Sequence, residues 1–269
     1  MLFYIVIIVI ALYLLPAVLL YFMQHRIVFY PTREIFATPL NCGIPFEDVY
    51  PETADGVKIN AWFVPADNAE YTVLFCHGNG GCLAHRVETI ELYHKLSFNF
   101  FVFDYRGYGL SGGKPSENGL YLDSEAAWNF LVNEKHIPPD KIVLIGRSLG
   151  GAVASRLAAK KQPRRLICES AFLSIQETGR DRYPFFPVKL LSRFTFPTGN
   201  FLKQVKCPAM IIHSRDDQVV KFSHGQRLFT IAGGPKTFLE LTGAHDECYF
   251  DCSDQYTAAV KRFICAPAE

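Results

Sequence analysis

The chain has 269 residues, enough for one large domain with a well-buried core. Its 27 Lys and Arg balance 26 Asp and Glu, which argues against a nucleic-acid surface or an acidic tail. Hydrophobic content is 49%, high for a soluble domain, and the N-terminus accounts for part of it.

Residues 2–23 carry no charge. As a helix at ~1.5 Å per residue they reach roughly 33 Å, enough to cross a bilayer core. A cleaved signal peptide would show a basic start, a shorter apolar stretch and a small-x-small cleavage site. Here no Lys or Arg precedes Arg26, and the segment ends in Tyr21, Phe22, Met23 and Gln24. The expected organisation is an uncleaved anchor over 1–25 and one domain over 26–269. Arg26 and Arg33 follow the span, so the positive-inside rule puts the domain on the cytoplasmic side. Phe29, Tyr30 and Phe36 are expected at headgroup level.

Residues 57–64 alternate apolar and polar, which predicts a half-exposed antiparallel strand at a sheet edge. Six short apolar runs follow without alternation, at 72–76, 98–103, 141–145, 166–168, 209–213 and 237–241. Such runs suit parallel strands buried on both faces. Helical patterns lie between or after them, over 86–96, 120–132, 152–160, 223–232 and 254–264. The alternation predicts a doubly wound α/β fold with a mostly parallel sheet. Residues 172–202 break the rhythm with Tyr183, Phe185, Phe186, Phe194, Phe196 and Phe201 set among Pro184, Pro187 and Pro197. This stretch is long for a connection and reads as a small lid over the site mouth.

Gly146-Arg147-Ser148-Leu149-Gly150-Gly151 sits directly behind the run 141–145 and before an alanine-rich helix. This G-x-S-x-G places a serine on a turn too tight for flanking side chains, which lifts its hydroxyl out of the sheet. A serine hydroxyl needs a neighbouring base, and the base needs a group that fixes its tautomer. The candidate base is His245, in the loop after the last predicted strand. The acid falls after the strand 209–213, where Asp216 and Asp217 are adjacent and periodicity does not separate them. Glu169 reads as a buried structural carboxylate. His213 ends a strand, and His224 opens a helix. An oxyanion would need two backbone N–H groups, and Leu149 after the serine and Asn79 in the loop His77-Gly78-Asn79-Gly80-Gly81 are the candidates.

Gly107, Gly109 and Gly112 match a dinucleotide fingerprint, but Pro115 prevents a helix from starting at the third glycine. Gly113-Lys114 fails as a phosphate loop because Tyr108 and Pro115 stand where Gly and Ser/Thr are required. The eight cysteines show no disulfide framework. His245, Cys248 and Cys252 are too loosely spaced for a metal site, and Cys76 and Cys168 read as core thiols. No cofactor is implied.

The segments His77–Gly81, Asp104-Tyr-Arg-Gly-Tyr-Gly-Leu-Ser-Gly112, Gly146–Gly151, Asp217-Gln-Val-Val and Gly243-Ala-His245-Asp together resemble the α/β-hydrolase superfamily. They are most similar to its branch of small membrane-anchored serine hydrolases, which includes protein depalmitoylases. The resemblance covers about residues 26–265. Laid on His213-Ser-Arg-Asp-Asp-Gln-Val-Val, the family's His-Gly-x-x-Asp pattern puts the catalytic acid on Asp217, with Ser214 where glycine is usual. It implies a Ser148–His245–Asp217 triad and an acyl-enzyme, and the aromatic lid and the anchor point to an acyl chain or other apolar ester or thioester at the membrane surface. A peptidase or amidase with the same triad and a non-catalytic binding module of the same fold are the alternatives.

Overall fold

Eight strands form one sheet: β1 (Glu47–Val49), β2 (Ala61–Val64), β3 (Thr72–Cys76), β4 (Asn99–Phe103), β5 (Ile142–Arg147), β6 (Arg165–Glu169), β7 (Ala209–Ser214) and β8 (Lys236–Leu241). Their spatial order is β1-β2-β4-β3-β5-β6-β7-β8. β2 is antiparallel to both neighbours, and every other pair is parallel. This computed structural model describes residues 1–267, the side chains of Val9 and Ile10 excepted.

The strands that read as unbroken apolar runs are covered on both faces. On one face Leu74, Leu144, Leu166 and Ile211 pack with Leu120 and Leu157. On the other, Val73, Val143, Ile167 and Ile212 pack with Ile90, Tyr93, Val260 and Ile264. Successive strand residues point to opposite faces, so a sheet covered twice needs apolar residues at every position. Each fully buried aliphatic side chain contributes about 1.5–3 kcal/mol. The covering helices are α2 (Val87–Lys95), α3 (Glu117–Asn129), α4 (Leu149–Lys161), α8 (Phe222–Ile231) and α10 (Ser253–Cys265); α9 (Cys248–Asp251) is a single turn.

Two expectations change. The strand expected at the edge over 57–64 is β2: it is fully buried and second from the edge, because β1 pairs outside it. The alternating residues before Ala61 instead follow a turn at 54–56 that the Glu52–Lys58 bridge closes. Phe29, expected at headgroup level, is buried against Phe194 and Phe196, whereas Tyr30 and Phe36 are exposed.

α1 (Leu2–Val28) is long and apolar enough to cross a membrane. Its 27 residues give roughly 40 Å at ~1.5 Å per residue. The segment 172–202 forms three short helices, α5 (Ile175–Arg182), α6 (Val188–Leu191) and α7 (Thr198–Leu202), with Pro187 and Pro197 as the N-caps of the last two. It leans on α1. Tyr13 donates to Phe185 O at 2.8 Å and its ring stacks on Phe186. Gln24 donates to Leu191 O at 2.8 Å and accepts from Arg193 N–H at 2.7 Å.

Candidate active site

β5 ends at Arg147 and α4 begins at Leu149, so Ser148 alone makes the turn. Its backbone sits at φ 53° and ψ −115°, in the left-handed half of conformational space. Such a residue carries about 1–3 kcal/mol of strain, held here by the packing on both sides. A side chain at 146 would run into Gly150 O, and one at 150 into Cys76 O. Those two contacts explain why the turn requires glycine at both positions. Ser148 N–H donates to Glu169 O at 2.8 Å, which ties the elbow to β6.

Behind the elbow Arg147 and Glu169 form a buried pair at 2.9 Å. Burial opposes the Arg147 charge, but Glu169 and the tyrosines beside it more than restore it, and its pKa rises. The guanidinium also lies over the Tyr249 ring, and Tyr256 hydrogen-bonds to the other Glu169 oxygen. Glu169 is thus structural, as its strand-end position suggested.

The acid loop follows β7 and the histidine loop follows β8. His245 Nδ1 lies 2.6 Å from Asp217 Oδ2. Asp217 Oδ1 accepts from the N–H groups of Val219 and Val220 at 2.9 and 2.8 Å. His213 Nε2 donates to Val220 O at 2.9 Å and lies 3.4 Å from Asp217 Oδ2. Burial alone would raise the Asp217 pKa. The hydrogen bonds from His213 and His245, the His245 charge and the Val220 amide outweigh it and hold the carboxyl well below the usual carboxylate range. The neighbouring Asp216 faces elsewhere: its Oδ2 accepts from Gly243 N–H at 3.1 Å. Ser214 donates to Gly243 O at 2.5 Å, so the serine in place of glycine laces the acid loop to the histidine loop.

Both candidate oxyanion donors lie beside Ser148. Leu149 N–H is the first of α4 and has no helical acceptor, as at any helix start. The peptide that carries Asn79 N–H is oriented by His77, whose Nδ1 donates to Gly78 O at 2.7 Å. In a trans peptide the N–H points opposite to that carbonyl. Asn79 O in turn accepts from Tyr30 N–H at 3.0 Å and from Tyr108 Oη at 2.8 Å. Tyr105 Oη donates to His77 O at 2.9 Å. The glycine-rich loop after β4 therefore supports the loop after β3 through Tyr105 and Tyr108.

Ser148, Leu149, Asn79 and His245 line a common cavity of about 820 Å³. α5 and the C-terminal turn of α1 close its sides, through Ile175, Tyr183, Ile27 and Val28. Asp217 stands behind His245, out of the cavity. Ser148 makes no side-chain hydrogen bond among the described residues; in unliganded sites such bonds are often long and tighten with substrate. Among the described residues no group of three His, Cys, Asp or Glu side chains could hold a metal ion. Cys252 Sγ is directed to Thr242 O and Cys248 Sγ to His245 O. Sequence reasoning missed the roles of His77, His213 and Ser214, and the part α1 takes in the cavity wall. For His77 and His213 the available signal was a histidine at the C-terminal end of a strand.

A parallel sheet in which only the strand next to one edge runs antiparallel, and a strained serine between a strand and a helix, define an α/β-hydrolase fold. The sequence profile of the alpha/beta hydrolase fold matches residues 71–187. The chain is 35% identical over 216 residues to alpha/beta hydrolase domain-containing protein 17B of Homo sapiens, covering 79% of this chain and 73% of that one. It is 30% identical over 274 residues to alpha/beta hydrolase domain-containing protein WAV2 of Arabidopsis thaliana, covering 91% and 89%. The solved structure of the Pyrococcus furiosus esterase Pf2001 superposes with a TM-score of 0.74 at 24% identity, over 87% of this chain and 98% of that one, and shows the same fold. The chain belongs to the α/β-hydrolase family, and membership supports hydrolytic chemistry in general.

Proposed function

We propose that this protein is a serine hydrolase that cleaves a carboxylic ester or thioester of an apolar acyl group through an acyl-enzyme. The observation that carries the reading is the 2.6 Å bond between His245 Nδ1 and Asp217, at a cavity that Ser148 also lines. A carboxylate only accepts, so Nδ1 holds the proton and Nε2 is left with its lone pair. Ser148 Oγ gives its proton to Nε2 as it attacks the carbonyl carbon. The N–H groups of Leu149 and Asn79 stabilise the resulting oxyanion, each supplying ~2.7–4 kcal/mol by analogy with measured donors. His245 then protonates the leaving oxygen or sulfur, and the same imidazole activates water for deacylation.

The acyl preference is supported by Ile27, Val28, Phe172, Ile175 and Tyr183 in the cavity wall. α1 serves as the membrane anchor in this reading, and Arg26 and Arg33 favour a domain on the cytoplasmic side. The test is covalent labelling with a fluorophosphonate probe, followed by turnover of p-nitrophenyl and thioester substrates of increasing acyl length. Labelling and turnover should vanish in Ser148→Ala, and turnover should rise with chain length. A folded protein that takes no label would be a binding module instead, and a flat length profile would remove the lipid-like substrate.

A further inference from the structure

α1 touches the rest of the protein along one stripe. Tyr13, Ala17, Leu20, Gln24 and Ile27 follow one another at intervals of four and three residues, the spacing of a single helix face. Between this stripe and the lid lies a second cavity of about 100 Å³. It shares Ile27, Val28, Ile175, Gly179 and Tyr183 with the Ser148 cavity, so the two adjoin across these side chains. From the shared neck it runs along α1 to Leu20 and Tyr21, with Val188 and Phe186 opposite. Gln24 and Ser192 in its wall have partners: Gln24 binds Leu191 O and Arg193 N–H, and Ser192 donates to Phe194 O. A narrow channel lined mostly by apolar atoms suits an alkyl chain.

The far end of the channel also reaches membrane depth if α1 spans. Leu2 to Leu20 covers roughly 27 Å at ~1.5 Å per residue, within the ~30 Å hydrocarbon core, while Ile27 at the neck lies beyond it at headgroup level. Beside it the lid turns Phe185 and Leu190 outward, 85% and 82% exposed. Two large apolar side chains on a tip that packs against a membrane-suited helix are explained by hydrocarbon contact.

We infer that a lipid resident in the bilayer passes its acyl chain to Ser148 through the groove between α1 and the lid, and that Ile27 and Leu20 act as successive marks of a chain-length ruler. The inference rests on the serine-hydrolase reading above. Ile27 stands at the neck. Leu20 is seven residues earlier, about 10 Å further along the helix, or roughly eight methylenes of an extended chain.

The experiment uses the full chain in phosphatidylcholine vesicles and an ester series from butanoyl to hexadecanoyl. Ile27→Trp should lower kcat/KM for dodecanoyl and longer esters about tenfold relative to butanoyl. Leu20→Trp should penalise hexadecanoyl and spare dodecanoyl. Val188→Phe narrows the channel from the lid just past the neck, where Val188 packs on Gly179, and should penalise dodecanoyl and longer esters as Ile27→Trp does without altering α1. Fluorophosphonate labelling of Ser148 verifies that each variant is folded. For the route, Phe185→Asp combined with Leu190→Asp should lose about tenfold on vesicle-embedded hexadecanoyl ester while hydrolysis of soluble butanoyl ester persists. Wild-type length profiles in Ile27→Trp and Val188→Phe would overturn the ruler. Undiminished vesicle turnover in the double aspartate variant would overturn the bilayer route. Turnover of no ester in a Ser148-dependent way would bring down the hydrolase reading itself, and this inference with it. Ser148-dependent turnover with unmoved profiles would leave that reading standing and refute the inference alone.

Discussion

Replacing Asp217 by asparagine isolates tautomer control from shape. Asp217 Oδ1 accepts two backbone N–H groups, from Val219 and Val220. An amide must keep its oxygen there, since its NH2 group would face two donors. The NH2 group then occupies the position 2.6 Å from His245 Nδ1, which can only accept from it. The imidazole proton is driven to Nε2, the nitrogen that has to receive the proton of Ser148. The same NH2 also meets His213 Nε2, whose proton is committed to Val220 O. A wrong-tautomer histidine in a triad of this kind costs about 10⁴ in kcat, and at ~1.36 kcal/mol per decade that is roughly 5.4 kcal/mol of transition-state stabilisation. Asp216→Asn makes the contrast, because its amide oxygen can still accept from Gly243 N–H. Loss of the charge there should change kcat by less than about tenfold. The assay is steady-state hydrolysis of p-nitrophenyl butanoate by both variants, with thermal melting as the folding control. An Asp217→Asn enzyme within tenfold of wild type, or an equal loss in Asp216→Asn, would refute the reasoning.

Two further perturbations follow from the geometry. Ser148→Gly should release about 1–3 kcal/mol of backbone strain, partly offset by ~0.5–1 kcal/mol of glycine entropy. The result is a Tm higher by a few degrees, whereas Ser148→Ala keeps its Cβ and should show no such gain; equal calorimetric Tm values for the two variants would dispose of the strain argument. His224 accepts from Leu173 N–H at Nδ1 and donates to Asp181 through Nε2, so it is held neutral, and burial lowers its pKa against the opposing pull of Asp181. Between that lowered value and the unfolded value of about 6.5 the unfolded chain binds more protons, so this contribution is fully present above ~6.5 and is lost as pH falls through the folded pKa. Urea unfolding of wild type and His224→Gln from neutral to mildly acidic pH should give a shallower pH slope in the variant, and equal slopes would contradict the assignment.

The parts of the fold that were legible are those fixed locally. The elbow is written in Gly146 and Gly150 because carbonyl oxygens occupy the space their side chains would need. β3, β5 and β7 stand out because the middle of a strand covered on both faces is apolar throughout, with Arg147, His213 and Ser214 only at the strand ends. β1 was invisible: Glu47-Asp48-Val49 has no strand pattern and extends only because β2 offers it an edge. Asp216 and Asp217 differ by one position and no periodicity, and only the turn of the loop after β7 sends one to His245 and the other to Gly243. His77 was marked only by its place at the end of a strand, and nothing in the sequence says that the carbonyl it orients belongs to its own neighbour.

α1 shows why a uniformly apolar segment conceals its contacts. When every residue suits both hydrocarbon and a protein interior, hydrophobicity cannot tell the packed face from the free one. The informative letters are the polar ones. Tyr13 and Gln24 are eleven residues apart, which at ~100° per residue returns to within roughly 20° of the same face. Both use their polar atoms on the lid, at Phe185 O, Leu191 O and Arg193 N–H. A helix that only had to span would gain nothing from two hydrogen-bonding groups aligned in this way. Three hydrogen bonds and a ring stack along one stripe instead make α1 a packed member of the lid assembly. Its last turn then supplies Ile27 and Val28 to the wall around Ser148, so the segment that looks like an anchor is also part of the site.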